Sequence, residues 1–434
     1  MPKLHPKTLK VSCRLKPKGL ILKAKRRTFH LTYPKNIWQS YPKGHKKFLI
    51  DNMVYLLTVN VPFISEVDKI IYQNISFPYL KPLIDHLTIE GIPSAVHSYK
   101  HSTFKLLRDF NNYQYIFKDK IIKCPPKRFP ETKKDTAIVP LSFGKDSLTT
   151  LGILRDLKIK PICVYINDTV SPSENSIKIK MLKRLNKEQN IKTHIVTNEI
   201  EKLNDFEFWN TNESCLGYMH MMMGFCLLLL PFLHFFRAKY IALGNQKDMN
   251  FSFINKDGFR TYPAVDQTSR WTAYFDEIMS QITQNNAHIR SYIADFTNIS
   301  LMRLLHKKYP DLAKYEVSCD SLDASNESRW CQNCSKCARL SIFMKAHGID
   351  TKRVGFKDDL LDKKHKKLYT IFNGKEADQY EESKEAREQQ LLAFYLAYKL
   401  GEKGYLIDYF RKHYLDKAKR NPPKLKEKYL NNPE

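Results

Sequence analysis

The sequence predicts an α/β fold: a doubly wound parallel sheet ending in a cysteine cluster, preceded by a separate mixed α+β N-terminal domain. Three observations in the 434 residues lead there. From residue 137 onward, short apolar runs alternate with long helical patterns. The first run breaks at Ser142-Phe143-Gly144-Lys145-Asp146-Ser147 and passes at once into a helical pattern. Far downstream, Cys319 precedes the tight string Cys331-Gln332-Asn333-Cys334-Ser335-Lys336-Cys337.

The elements follow in order. Thr8–Leu15, Leu20–Ala24 and Thr28–Tyr33 alternate as strands do, and Lys47–Leu57 and Ser65–Tyr72 are more mixed, with Leu56-Leu57-Thr58-Val59 expected helical. Cys124-Pro125-Pro126-Lys127-Arg128-Phe129-Pro130 suits neither helix nor central strand and is expected as a hinge, so the first domain is residues 1–130. The next, 131–345, carries strands at Ala137–Leu141, Pro161–Ile166, His194–Thr197 and Tyr240–Leu243. Met219–Phe236 is nearly all apolar and approaches membrane-spanning length. Its two histidines, Pro231 and the strand that follows identify it as a buried core helix. Residues 346–434 form a helical extension, in which Leu391, Phe394, Tyr395 and Tyr398 share one face. The basic, proline-interrupted Lys417–Lys428 is expected to be a mobile tail.

A strand, a short loop and a helix together aim free backbone N–H groups and the positive end of a helix dipole at an anion. Gly144 permits close backbone approach, Ser142 and Ser147 add hydroxyls, and Lys145 adds charge. Asp146 is out of place in a bare phosphate cradle unless it orients the loop or acts through a metal ion. The plain alternative is a helix N-cap. Neither G-x-x-x-x-G-K-[ST] nor G-x-G-x-x-G occurs. In such sheets ligands lie beyond the carboxyl ends of strands, so Asn167, Asp168 and Gly244-Asn245-Gln246-Lys247-Asp248 are further candidates. For Asp168 and Asp248, turn chemistry is the competing explanation.

Four thiolates suit a closed, tetrahedral structural Zn2+ site, with Lys336 and Arg339 offsetting excess negative charge. The metal ligands are therefore expected to be Cys319, Cys331, Cys334 and Cys337, with an iron–sulfur cluster as the minor alternative.

Ser142–Ser147 resembles the S-G-G-x-D-S signature of the PP-loop ATP pyrophosphatases, with Phe143 standing for one glycine. That resemblance implies a HUP/PP-loop type sheet and an enzyme that cleaves ATP to AMP and pyrophosphate with Mg2+. It implies nucleotide contacts at Ser142, Phe143, Gly144, Lys145, Asp146 and Ser147. It adds adenine contacts at Tyr165 and Ile166, and α-phosphate contacts at Gly244 and Asn245. Lys145, Asp146 and Asp248 would be catalytic. Such a loop followed by C…C-x-x-C-x-x-C resembles 7-cyano-7-deazaguanine synthase over about residues 135–345, and Asn298–Met302 sits where that family starts a helix. The long flanks, and the string from Trp330 to Cys337, are similar to the ATP-dependent epimerase acting on the glutamate of a UDP-muramoyl dipeptide. The implied reaction adenylates a carboxylate or amide oxygen of a small substrate, whose pocket is expected from Phe251–Trp271 and the N-terminal domain.

The formal charge of +27, with fourteen Lys or Arg and no acid in residues 1–50, leaves nucleic acid open as a partner. A tRNA-modifying enzyme is thus one alternative, for which Cys215 and Cys163 are the candidate catalytic pair. A non-catalytic, zinc-containing nucleic-acid-binding module is the other. Nine cysteines without a paired framework, and no apolar leader, point to the cytoplasm and away from a membrane.

Overall fold

The computed structural model describes residues 7–96, 101–126, 128–212, 215–319, 328–374, 376, 381–420 and 422–430. Twelve strands occur among them: β1 Thr8–Lys16, β2 Gly19–Ala24, β3 Arg27–Thr32, β4 Lys69–Ser76, β5 Gln114–Asp119, β6 Lys133–Pro140, β7 Lys160–Asn167, β8 Lys192–Asn198, β9 Ala238–Leu243, β10 Phe253–Ile254, β11 Arg260–Thr261 and β12 His288–Ser291. All but the small β10–β11 pair join one sheet, in the order β12-β9-β6-β7-β8-β3-β2-β1-β4-β5.

Strands β12, β9, β6, β7 and β8 are mutually parallel. Counted from β6, their spatial order is third, second, first, fourth, fifth, the doubly wound order whose chain reversal opens a crevice beside the first strand. Successive side chains of a strand point to opposite faces. Accordingly Ile138, Ile162, Val164, Val196 and Ile241 enter one core with Phe232 and Met279. Ala137, Val139, Leu141, Cys163 and Tyr165 enter another with Leu148, Leu151, Leu182 and Leu305. A third core joins the cysteine-rich segment to the C-terminal helices.

The N-terminal strands continue this sheet. Strand β3 pairs antiparallel with β8 through Leu31↔Asn198 and Thr32↔Thr197, and one hydrophobic core runs from Leu9 to Ile289. The boundary placed at residues 124–130 is therefore crossed by both a strand pairing and a core. Within that segment Arg128 and Phe129 donate backbone N–H groups to Gln284 Oε1 at 2.9 and 3.1 Å. Strand β2 passes to β3 through Lys25 and Arg26, both left-handed at φ 47° and 58°, the type I′ geometry that matches hairpin twist. Gly19 (φ 152°) is required by contact: a Cβ there would lie 1.8 Å from the carbonyl oxygen of Leu31.

Several expectations shift. The mixed stretch from Lys47 is a helix, Lys43–Leu56, buried on nearly all sides, and residues 57–60 after it form a turn instead of helix. Met219–Phe236 divides at Leu229 into helices Met221–Leu228 and Leu230–Phe236, with Pro231 at the start of the second, where its missing N–H costs nothing. In the tail, helices Leu415–Lys419 and Pro422–Leu430 pack onto the body, and the Tyr429 carbonyl accepts a hydrogen bond from Thr297 Oγ1 at 2.8 Å. Among the described residues one helical stretch, Lys43–Ile64, is long and apolar enough to cross a membrane, but 94 % of its most apolar window is buried inside the fold.

Candidate functional site

The crevice beside β6 is a cleft of about 370 Å³. Its floor is the loop Ser142–Ser147 and the first turn of helix Lys145–Asp156, which Gly144 caps with extended backbone. Ser147 Oγ donates to the Gly144 carbonyl at 3.1 Å and lies 3.3 Å from Ser142 Oγ. Lys145 is 5 % exposed; its Nζ reaches Asp146 Oδ1 at 2.6 Å and Gln246 Oε1 at 3.2 Å. Burial lowers the Lys145 pKa, partly offset by Asp146. The Asp146 side chain remains one-third exposed to the cleft.

Phe143 does not line the cleft. Its ring is fully buried among the β6 and helix Lys145–Asp156 side chains, and its carbonyl accepts the Val317 N–H at 2.8 Å. Its backbone is left-handed, φ 61°, which costs a bulky residue roughly 1–2 kcal/mol. Ring burial offsets that cost, so the turn a glycine would make freely is here held by packing. Phe143→Ala keeps the strained angle and loses the ring. We expect about 3–5 kcal/mol of destabilisation in urea unfolding, with Phe143→Gly about 1 kcal/mol more stable than Phe143→Ala.

The other expected residues fall as follows. Tyr165 and Ile166, at the end of β7, line the cleft, and Tyr165 OH is held by Asn175. Gly244 and Asn245, after β9, line it too; a Cβ on Gly244 would press on Asp146 Cβ at 3.2 Å. Asp168 lines it and caps the next turn, accepting Val170 N–H at 3.0 Å. Asp248 lies behind the wall. Its Oδ2 accepts from Asn298 N–H (3.0 Å), Asn298 Nδ2 (2.7 Å) and Gln389 Nε2 (3.0 Å), and burial raises its pKa. On this placement Asp248 ties the cleft wall to the C-terminal helices through Oδ2 and is not among the cleft-lining residues, while its Oδ1 is buried without a partner. Asn298 itself starts helix Asn298–Lys308, as expected, under a Thr297–Ser300 capping box. Of Phe251–Trp271, Gln267 lines the cleft.

The four cysteines converge: their sulfurs all lie within 4.8 Å of one another. A tetrahedral ion with ~2.3 Å metal–sulfur bonds needs sulfurs ~3.8 Å apart, and Cys331 Sγ lies 3.8 Å from Cys337 Sγ. Backbone N–H groups of Cys331, Asn333 and Cys337 donate to Cys319, Cys331 and Cys334 sulfurs at 3.4–3.5 Å. The knuckle turns through Gln332 (φ 59°), whose Oε1 accepts the Lys357 and Asp358 N–H groups. Hydrogen bonding from Cys319 and the other two thiols draws Cys334 far below the usual thiol range. This donor set could hold zinc.

The two motifs are one construction. Val317 N–H bonds the Phe143 carbonyl, and Ser318 Oγ accepts the Lys145 N–H at 3.2 Å while donating to buried Glu316 at 2.9 Å. Cys319 comes next in the chain. Cys334 caps helix Ser335–Ala346, whose Lys336 and Arg339 form part of the cleft wall. Ser318, Gln246 and Lys178 also line the cleft. Sequence reasoning missed Ser318 and Lys178 because no spacing marks them; Gln246 lay inside the quoted Gly244–Asp248 segment. Gln267 is positioned by the turn Val265–Gln267, whose Asp266 accepts the Met222 N–H at 2.8 Å. Burial pushes the Asp266 pKa up to about 7. Holding a proton that the unfolded chain releases near pH 4, the folded state loses stability as pH rises from about 4 to 7. Asp266→Asn should therefore match wild type near pH 4 and exceed it by a few kcal/mol above pH 7 in urea unfolding.

No protein-family model matches the chain, and no curated protein matches it at a significant level.

Proposed function

We propose that this chain is an ATP-dependent enzyme releasing AMP and pyrophosphate, which adenylates a carboxylate or amide oxygen of a small substrate. One observation carries the proposal: the amino end of helix Lys145–Asp156 opens, with two serine hydroxyls, onto a cleft walled by Lys145, Lys178, Lys336 and Arg339. These groups suit a polyphosphate, and Tyr165 and Ile166 at the neighbouring strand end suit its base. Asp146 would hold Mg2+ against the β- and γ-phosphates. Substrate oxygen then attacks the α-phosphorus and pyrophosphate leaves, so the protein's contribution is positioning and charge stabilisation. The resemblance to deazaguanine synthase and to the glutamate epimerase supports this reaction class. The acyl-adenylate leads onward to amide, nitrile or α-proton loss, according to the pocket beside it.

The test is incubation with ATP, Mg2+ and a metabolite extract, followed by mass spectrometry. AMP and pyrophosphate in equal amounts are expected; ADP and phosphate alone overturn the proposal. A tRNA-modifying enzyme is less well supported, because Cys163, one of its two candidate cysteines, is fully buried in β7 and burial pushes its thiol up to about 12.

A further inference from the structure

The ten-stranded sheet is covered on both faces over only part of its width. On its parallel half, helices Lys145–Asp156 and Pro172–Gln189 cover one face through Leu148, Leu151 and Leu182. On its N-terminal half that same face lies open. In β3, β2, β1, β4 and β5 the residues Leu31, Leu22, Leu9, Ile70 and Phe117 enter the core on the other side. The residues that alternate with them point outward. There Lys10, Arg14, Lys16, Lys23 and Lys118 are exposed and Lys69 is half-buried.

Strand register gathers these cations into one field. Lys69 pairs with Thr8 and Gln114, Lys10 with Ile71, Lys23 with Ser12 and Thr28, and Arg14 with Ile21. At ~4.8 Å between strands and ~3.4 Å per residue, the field covers roughly 15 Å by 25 Å. No described acid forms an ion pair with any of the six, whereas Lys105 meets Asp109 and Arg184 meets Glu188 elsewhere on the surface. The one acid within the five strands, Asp119, alternates to the core side with Phe117 and accepts Ser76 Oγ at 2.8 Å. Glu199, beside β3, accepts the His30 backbone N–H at 3.0 Å. The field continues to the hairpin tip Lys25-Arg26. Leu31 pairs with Asn198, the last residue of β8, so residues 27–30 and the tip run past the carboxyl end of β8. That is the end of the sheet at which the cleft opens. Lys25 Nζ lies over the Trp209 ring at 4.4 Å and the Arg27 guanidinium over Phe208 at 5.1 Å, which fixes the tip and leaves Arg26 exposed.

We infer that this open face binds the phosphate backbone of double-stranded RNA. Cations spread over a sheet face, without acids among them, complement a dense array of phosphates. A single strand fits less well: its bases stack on aromatic rings, and no Phe, Tyr or Trp occupies an outward position of these strands. RNA suits the face better than DNA, because Ser12, Thr28, Thr32 and Gln114 place neutral hydrogen-bonding groups among the cations, and a 2′-hydroxyl both donates and accepts. The inference goes beyond ATP cleavage and does not rest on it. It concerns binding, not which molecule is adenylated.

Fluorescence anisotropy of the full chain without ATP tests it, using an RNA duplex of about 16 base pairs, the DNA duplex of the same sequence and single-stranded RNA. Sedimentation on phosphatidylserine vesicles accompanies it. Saturable binding of the RNA duplex is expected, tighter than that of either other nucleic acid. Six phosphate contacts make it on the order of a thousandfold weaker at 200 than at 50 mM salt. The triple variant Lys10→Gln, Arg14→Gln, Lys23→Gln should weaken binding about a hundredfold and reduce the logarithmic salt slope by about three. Lys403→Gln, Lys412→Gln, Lys419→Gln removes the same charge from exposed positions of the C-terminal extension and should leave both nearly unchanged. Near-UV circular dichroism confirms the fold of each variant. Absence of saturable RNA binding, equal loss in the two variants, binding of DNA or single strand as tight as that of the RNA duplex, or binding to vesicles in place of RNA overturns the inference. Because no nucleotide cofactor is present, none of these results bears on AMP release.

Discussion

Cys334→Ser should purify with little zinc and little soluble protein, whereas the wild-type chain should carry zinc in stoichiometric amount. Cys334 has two tasks. It is one of four sulfurs converging within 4.8 Å, and its own sulfur caps helix Ser335–Ala346 by accepting the Cys337 N–H. A structural zinc contributes on the order of 10–16 kcal/mol in small zinc-folded peptides, while a whole domain is stable by about 5–15 kcal/mol. Losing the metal should therefore unfold at least the core around Trp330, which stacks on Phe356 at 4.5 Å and donates to the Val354 carbonyl. The damage should also reach the cleft, since Ser318 beside Cys319 holds the Lys145 N–H. Metal analysis by mass spectrometry and urea unfolding decide the matter. Normal zinc content and normal stability in the serine variant would refute the four-thiolate site, and a visible charge-transfer band in wild type would indicate an iron–sulfur cluster instead.

Much of the sheet was legible because its inner strands are short, apolar and punctuated. Ala137–Leu141 and Pro161–Ile166 lie within one residue of the ends of β6 and β7, though β6 begins earlier, in the polar stretch at Lys133. Strand β12 escaped notice because His288–Ser291 holds a single aliphatic residue, Ile289, and is defined by pairing with β9 and not by pattern. The helix Lys43–Leu56 was hidden for the opposite reason: with neither face exposed to water, no 3.6-residue period survives. The hairpin at Lys25-Arg26 was silent because its left-handed turn uses neither asparagine nor glycine. Nothing local announces that β3 pairs with β8, since that contact joins residues far apart in the chain and carries only two register pairs. Hence the expected domain boundary fell where the composition changes and not where the sheet ends.

The site divides in the same way. The loop and the cysteines were visible because each is a contiguous string whose spacing encodes geometry. The link between them, Glu316-Val317-Ser318, is three ordinary hydrogen bonds at a fold-dependent meeting point. Asp248 was legible as an acid just past a strand end; that Asn298 and Gln389 both bond its Oδ2, while its Oδ1 stays buried without a partner, depends on the assembled fold.

Asp146→Asn should stop AMP release by at least about a hundredfold while leaving the fold intact and binding bare pyrophosphate no less tightly than wild type. The two signs follow from one fact: a carboxylate sits in the first turn of the helix whose amino end faces the cleft. There it gains about 0.3–1 kcal/mol from the helix dipole, but it repels any phosphate drawn to the same dipole. A purely structural Asp146 would make the asparagine variant mildly less stable and otherwise active, because the amide can still accept from Lys145 Nζ. A carboxylate that instead serves the phosphates through a divalent cation is needed for turnover and harmful to metal-free anion binding. Titrating pyrophosphate with and without Mg2+ into both proteins separates these cases. In wild type Mg2+ should strengthen binding; in Asp146→Asn that enhancement should vanish. Wild-type turnover in the variant, or an unchanged Mg2+ effect, would remove Asp146 from the chemistry and leave it as a first-turn residue stabilised by the helix dipole.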